Sequence, residues 1–356
     1  MSSQLLMGQP ARFWASNEKE GAVTCQACFH GCDIPEGRRG FCQSRVNKNG
    51  ILYSLNYGYT GSLALDPIEK KPLYHFQPGT MTFSVGAPGC NFTCLGCQNH
   101  DLSRPGAGWP GTKYESNIVS RLNQMAADND ADSWSFTYSE PTVFLEYAID
   151  LAQEAYLNGL SSVWVTNGAM SPEVLKSLPP AVAAMNIDLK GFTEKFYSDV
   201  TGGRLATVKN NIELALSLGI WVEVTTLLIH GLNDSESELG ELTAFLASLS
   251  PDLPWHVSRF FPRHRQSHLQ ATPIPSLEKA KDIALTNGLR YVYIGNAFNL
   301  GYGDTVCPSC GQLLISRKGY QITHYNFSQT GLCPQCGSKI AGRWARGLVA
   351  PQAIAP

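Results

Sequence analysis

From Met81 onward the chain alternates short apolar runs with longer segments in which apolar residues return every three or four positions. The runs MTFSVGA, SWSFTY, SVWVTN, MNIDLK, IWVEVTTLLI, WHVSRFF and YVYIGN read as strands. Between them, PTVFLEYA from Pro141, VKNNIELALSL from Val208 and LEKAKDIAL from Leu277 have the period of helices. Six or seven such units in about 220 residues predict an α/β fold, a parallel sheet curled into a partial or complete TIM-like barrel with its function at the C-terminal strand ends. A doubly wound open sheet is the competing architecture.

Two flanking stretches depart from this pattern. Residues 1–78 carry short alternating segments, as in ILYSLNYGYTGSLALDPIEKKPLYHF, that suggest strands or hairpins and a small wrap around the main domain. Near Thr305 the pattern breaks into Pro, Gly and Cys, a module that ends around Trp344, and GLVAPQAIAP after it reads as disordered. The expected organisation is an N-terminal cysteine-containing module over 1–78, a barrel over 79–303, a second small cysteine module over 304–345 and a flexible tail over 346–356.

A hydrophobic content of 43% in 356 residues supports a sizeable core. With 27 Lys and Arg against 29 Asp and Glu, the net charge of −2 gives no global footprint of a nucleic-acid binder, although a local basic groove remains open. No apolar run approaches the roughly 20 residues that cross a bilayer. The start MSSQLLMGQPARFW lacks the basic stretch and apolar core of a signal peptide. These features predict a cytoplasmic protein without membrane contact. There thiols stay reduced, so cysteine-rich knuckles point to metal rather than to disulfides.

The eleven cysteines fall into three sets with none left over. Cys25, Cys28, Cys32 and Cys42 form C-x2-C-x3-C-x9-C, Cys90, Cys94 and Cys97 form C-x3-C-x2-C, and Cys307, Cys310, Cys333 and Cys336 form two C-P-x-C-G knuckles. A [4Fe–4S] cluster normally takes four thiolates, so the set of three leaves one iron open for a substrate or cofactor. The two sets of four read as closed sites. The last has the pattern of a zinc ribbon or a rubredoxin-like site, where tetrahedral sulfur suits zinc or iron, and zinc is the expected ion. The first takes either zinc or an auxiliary iron–sulfur cluster, and His30 is able to replace one of its cysteines.

Directly after a predicted strand, the loop GAPGCNFTCLGCQNH resembles the signature of the radical S-adenosylmethionine (SAM) superfamily. The resemblance implies that the open iron binds the amino and carboxylate groups of SAM. One electron then cleaves the sulfonium, and the 5′-deoxyadenosyl radical takes a hydrogen atom from the substrate. Tyr138, Ser139 and Glu140 stand where relatives carry a Gly-Gly-Glu-Pro-like motif that holds the SAM amino group, with both glycines replaced here. Thr166 and Asn167 of TNG, and Asp188 and Lys190 of DLK, match positions that contact SAM in glycyl-radical activating enzymes. A carboxylate, a cation and an amide complement the ammonium, carboxylate and hydroxyls of SAM. Without that context, Asp188 and Lys190 would read as a plain surface ion pair.

TTLLIHGLND from Thr225 and WHVSRFFP from Trp255 also look like the activating-enzyme branch. Along the second, His256, Ser258 and Phe260 share a face and Arg259 points the other way. His256 and Arg259 are candidate catalytic residues, weighed against a satisfied core histidine. The order of segments along nearly the whole chain resembles the radical SAM enzyme of the AmmeMemoRadiSam system, related to the pyruvate formate-lyase activating enzymes. The expected function is hydrogen abstraction from a macromolecule, protein or RNA, with SAM and an electron donor such as flavodoxin or ferredoxin as partners. Activation of a glycyl-radical enzyme is the narrower alternative. A non-catalytic electron-transfer or interaction module is the alternative of another class.

Overall fold

The computed structural model describes residues 8–18, 21–104, 106, 117–297, 301–327 and 330–348. An eight-stranded sheet runs in chain order through β1 (Ser62–Pro67), β2 (Met81–Gly86), β3 (Ser133–Phe136), β4 (Ser161–Thr166), β5 (Val182–Asp188), β6 (Trp221–Leu228), β7 (Trp255–Arg259) and β8 (Val292–Gly295). The seven strands expected from the apolar runs are β2 to β8, all parallel to one another. Their order never reverses, so the sheet has no switch point and winds one way, as a barrel does; the doubly wound alternative falls. Among the described residues β1 and β8 do not pair, which makes the barrel partial.

β1 comes from the N-terminal stretch and pairs antiparallel with β2, Ser62 opposite Gly86 and Pro67 opposite Met81. It is the half-exposed edge, whereas β3 is buried along its whole length, as parallel strands covered on both faces must be. The covering helices are α1 (Ile118–Asp128), α2 (Leu145–Leu157), α3 (Leu205–Ser217), α4 (Glu236–Leu249) and α5 (Ile274–Thr286). Three of them follow from the helical periods, with the turn Pro141–Phe144 leading into α2. Trp134 of β3 is fully buried, and its indole donates to Asn123 Oδ1 on α1 at 2.9 Å, so packing this large side chain strands no donor.

The N-terminal module forms two small antiparallel sheets and is clamped to α2. Arg45, on the strand Arg45–Lys48, donates from Nη2 to both oxygens of Glu146 at 2.8 and 3.1 Å. Both side chains are buried, at 2% and 1% exposure. Glu146 also accepts from the Arg12 backbone N–H at 2.8 Å, and the Tyr57 hydroxyl donates to Asp150 at 2.7 Å one helical turn on.

At the other end of the chain, Thr305–Val306, Leu313–Lys318 and Gln321–Tyr325 form a third small sheet. It packs on β8, where Tyr291 and Tyr293 join Tyr74, Leu314, Ile315 and Trp344 in one buried cluster. Arg317 reaches back to the Tyr74 carbonyl at 2.9 Å and to that of Gly303 at 2.9 Å. The module therefore stands beside the seam between β8 and the segment that follows β1. Of the expected tail, Gly347 accepts from Gln77 Nε2 at 2.7 Å and from Ser161 Oγ at 3.2 Å, and residues 349–356 lie outside the described residues.

Breaking a buried ion pair from one side leaves the other charge uncompensated. Glu146→Ala is accordingly expected to lower the free energy of unfolding by about 3–5 kcal/mol. A shift of the denaturant midpoint, followed by circular dichroism, measures it.

Candidate functional site

The loop after β2 carries Cys90, Cys94 and Cys97, each partly buried, at the C-terminal edge of the sheet. Three parts of the chain hold it. The N-terminal module grips one side, where Ser44 Oγ and Asn56 Nδ2 both donate to the Pro88 carbonyl, at 2.9 and 2.8 Å. The stretch after β5 grips the other, through Thr93 N–H to the Thr201 carbonyl at 2.7 Å and Leu95 N–H to that of Val200 at 2.9 Å. From beyond the loop, Arg104 donates to the Phe92 carbonyl at 2.8 Å.

Gly89 sits where these grips converge. Its φ is +114°, and a Cβ there would stand 2.2 Å from Ser44 Oγ and 2.7 Å from a Val143 methyl. Both the conformation and the space demand glycine. These contacts fix the backbone of the loop that carries the three cysteines. Burial pushes the Cys90 thiol well up, with the Glu140 carboxylate adding to it, and burial raises Cys94 to about 11. Such thiols become thiolates when metal cations compensate their charge.

Glu140 organises the neighbouring strand ends. Its Oε1 accepts from Thr142 N–H at 3.1 Å, Thr142 Oγ1 at 2.6 Å and Thr166 Oγ1 at 2.8 Å, and its Oε2 accepts from Asn167 N–H at 2.8 Å. Burial raises its pKa against these four bonds. The carboxylate is fully engaged within the protein, so it sets the positions of Thr166 and Asn167. Asn167 then reaches the triad: its Nδ2 donates to Asn91 Oδ1 at 2.7 Å and lies 3.9 Å from Cys90 Sγ.

Tyr138 has φ +68° and turns its hydroxyl to Asp66 at 2.6 Å, while its carbonyl accepts from Asn99 Nδ2 at 2.8 Å. Ser139 Oγ donates to the Ala87 carbonyl at the base of the loop. At the end of β5, Lys190 Nζ pairs with Asp188 Oδ2 at 2.8 Å. Burial disfavours the Lys190 charge, but Asp188 and the Cys94 sulfur outweigh it and raise the pKa. Lys190 and Asp188 both act on Cys94 electrostatically, so the pair belongs to the triad's surroundings.

The two residues from the seventh strand part company. His256, near the start of β7, is buried and bonds Glu223 Oε2 at 2.7 Å. Glu223 also accepts the backbone N–H groups of Tyr74 and His75, at 3.0 and 2.8 Å, and the Trp221 indole at 3.1 Å. His256 therefore joins a buried hydrogen-bond network centred on Glu223, and it lines a cavity with Thr225 and Ser258. Arg259 ends β7 and donates to the Thr272 carbonyl at 2.8 Å.

Residues 84–243 match the description "Radical SAM superfamily". A curated relative, the uncharacterized protein MJ0808 of Methanocaldococcus jannaschii, is 42% identical over 325 residues, 90% of this chain and 96% of that one. The chain belongs to the radical SAM superfamily. A probable GTP 3′,8-cyclase of Aeropyrum pernix is 28% identical over 156 residues, 42% of this chain and 43% of its own. Among solved structures, a domain of the pyruvate-formate lyase-activating enzyme of Bacteroides vulgatus aligns with a TM-score of 0.41 and 20% identity, over 46% of this chain and 98% of that domain.

Membership of the superfamily implies a [4Fe–4S] cluster and SAM. Three thiolates on one glycine-shaped loop fit the cluster, since they leave one iron open. No helix of the described residues is long and apolar enough to cross a membrane.

The C-terminal cysteines fit a single ion. The Sγ atoms of Cys307, Cys310, Cys333 and Cys336 all lie within 4.8 Å of one another, with Cys307 to Cys336 at 3.6 Å and Cys310 to Cys333 at 3.7 Å. A tetrahedron with metal–sulfur bonds of about 2.3 Å has edges of about 3.8 Å. Hydrogen bonding with Ser338 lowers the Cys336 thiol below its ordinary value, which favours the thiolate that a metal ion takes.

Sequence reasoning passed over Asn91, Glu223 and Asp66. Asp66 and Lys71 do lie in the quoted run DPIEKK, where Lys71 Nζ meets Asp66 at 2.7 Å. The others have partners too distant along the chain for any local pattern to show.

Cys333→Ala is expected to empty the C-terminal site while leaving the triad iron in place. Elemental analysis of protein purified without oxygen checks both halves of that statement.

Proposed function

We propose that the protein cleaves SAM reductively at the triad and removes a hydrogen atom from a carbon centre of a macromolecular substrate, a protein or an RNA. Cys90, Cys94 and Cys97 hold the cluster, which when bound supplies one electron to the SAM sulfonium and so releases the 5′-deoxyadenosyl radical. The observation that carries the reading is the Lys190 and Asp188 pair against Cys94, with Asn167 against Cys90, at one strand edge. With SAM bound, Lys190 would complement its carboxylate, and Asp188 a hydroxyl or the ammonium. Glu140, itself among the expected SAM contacts, holds Asn167 in place through its backbone N–H.

Kinship to the AmmeMemoRadiSam radical SAM enzymes is supported by the order of motifs along nearly the whole chain. A macromolecular substrate is supported by the two accessory modules, which add surface that a small substrate does not need. The electron comes from a donor such as flavodoxin or ferredoxin, the ribbon ion is zinc, and the protein works in the cytoplasm.

Dithionite-reduced protein is expected to release 5′-deoxyadenosine from SAM, with a cluster EPR signal that SAM perturbs. Cys94→Ala abolishes both. Lys190→Ala keeps the iron and raises the SAM concentration for half-maximal cleavage by roughly tenfold, about 1.4 kcal/mol of lost binding. An intact triad cluster that leaves SAM whole would sink the proposal.

A further inference from the structure

The remaining four cysteines differ from the ribbon set in a way their spacing does not show. Cys25, Cys28, Cys32 and Cys42 line one cavity together with Arg45 and Asn91. Among the described residues, however, no three of their Sγ atoms gather within 4.8 Å, as the ribbon's four do. A single tetrahedral ion needs sulfur–sulfur edges of about 3.8 Å. A cubane cluster binds each thiolate to a different iron, so its cysteines stand apart around a core of iron and sulfide.

The cavity walls match the second case. Arg45, buried by its clamp on Glu146, also aims Nη1 at Cys25 Sγ, 4.0 Å away. Asn91 is fully buried, and its Nδ2 has no hydrogen-bond partner. A buried donor without an acceptor costs about 1–3 kcal/mol, and inorganic sulfides would place acceptors within the cavity that a bare ion lacks. Hydrogen bonds to cluster sulfurs are also a recognised means of tuning a cluster's potential.

We propose that Cys25, Cys28, Cys32 and Cys42 hold a second [4Fe–4S] cluster, closed by four thiolates and placed to exchange single electrons with the triad cluster. Its neighbourhood is the triad's own. Asn91 follows Cys90 directly, lines the cavity and accepts from Asn167, which touches Cys90. His30 Nε2 meets the Asn91 carbonyl at 2.8 Å, and Phe29 N–H donates to the Ala169 carbonyl at 3.2 Å, so the module rests on both loops that frame the triad. An external one-electron donor of the ferredoxin or flavodoxin class reduces the cluster by one electron. Passing that electron to the triad cluster returns it to its oxidised state. This last step rests on the function proposed above; the site does not.

The test is iron, zinc and sulfide analysis with EPR on the full chain purified without oxygen. Wild-type protein is expected to hold about eight irons and one zinc, from two four-iron clusters and the ribbon. A variant with Cys90, Cys94 and Cys97 all changed to Ala should keep about four irons and, once reduced, give a [4Fe–4S] signal indifferent to SAM. Fully reduced wild type should show the broadening of two nearby spins, absent from that variant. Cys28→Ala with Cys42→Ala should lose the second cluster alone. Four irons with two zincs in the wild type would overturn the proposal without recourse to any variant, as would a triad variant holding zinc and no iron. Eight irons in a protein that leaves SAM intact would overturn the function and leave this site standing.

Discussion

The carboxylate of Glu140 is buried among four donors drawn from two successive strand ends, and the edge of the barrel is arranged around it. A charge in that position is tolerable only with all its bonds made. Satisfying them draws Thr166 and Asn167 to the end of β4 and starts the turn that becomes α2. The Asn167 side chain is then directed at Cys90, and α2 is directed so that Glu146 meets Arg45. One buried charge thereby links the cysteine loop, the neighbouring strand and the docking of the N-terminal module.

Rigidity at the cysteine loop comes from outside it. Short loops at strand ends are ordinarily the mobile parts of a barrel. Here the loop is held by the N-terminal module through the Pro88 carbonyl, by the stretch after β5 through two backbone bonds, and by Arg104. Gly89 is the residue that lets those holds coexist. Cluster ligands gain from such preset geometry, because a loop already in place loses little entropy on binding.

Much of this was legible beforehand, for identifiable reasons. Strands β2 to β8 are buried on both faces and so leave near-continuous apolar runs. The edge strand β1, SLALDP, is half exposed and carries no such run; the residues before Met81 were read as a separate wrap, yet they supply a strand of the main sheet. Cysteine spacing marked three sets, but it says nothing of how far apart the sulfurs stand, which is what separates the ribbon from the N-terminal set. Alternation put His256 and Ser258 on one face without saying which face was the lumen. Its partner Glu223 lies 33 residues away, and Arg45 and Glu146 lie 101 apart, distances over which no periodicity carries information.

The ribbon's place beside the open side of the barrel bears on the order in which the molecule is made. Chains fold from the N-terminus as they are synthesised. The eight strands and the cysteine loop all precede Thr305, whereas Arg317 and the buried cluster around Trp344 come after them. A newborn chain can therefore curl its sheet and dock the N-terminal module while the seam is still bare. Only after Cys336 has left the ribosome can four thiolates gather an ion and fold the segment that covers it. During that interval the apolar cluster of Tyr74, Tyr291 and Tyr293 stands without the Leu314, Ile315 and Trp344 side chains that complete it.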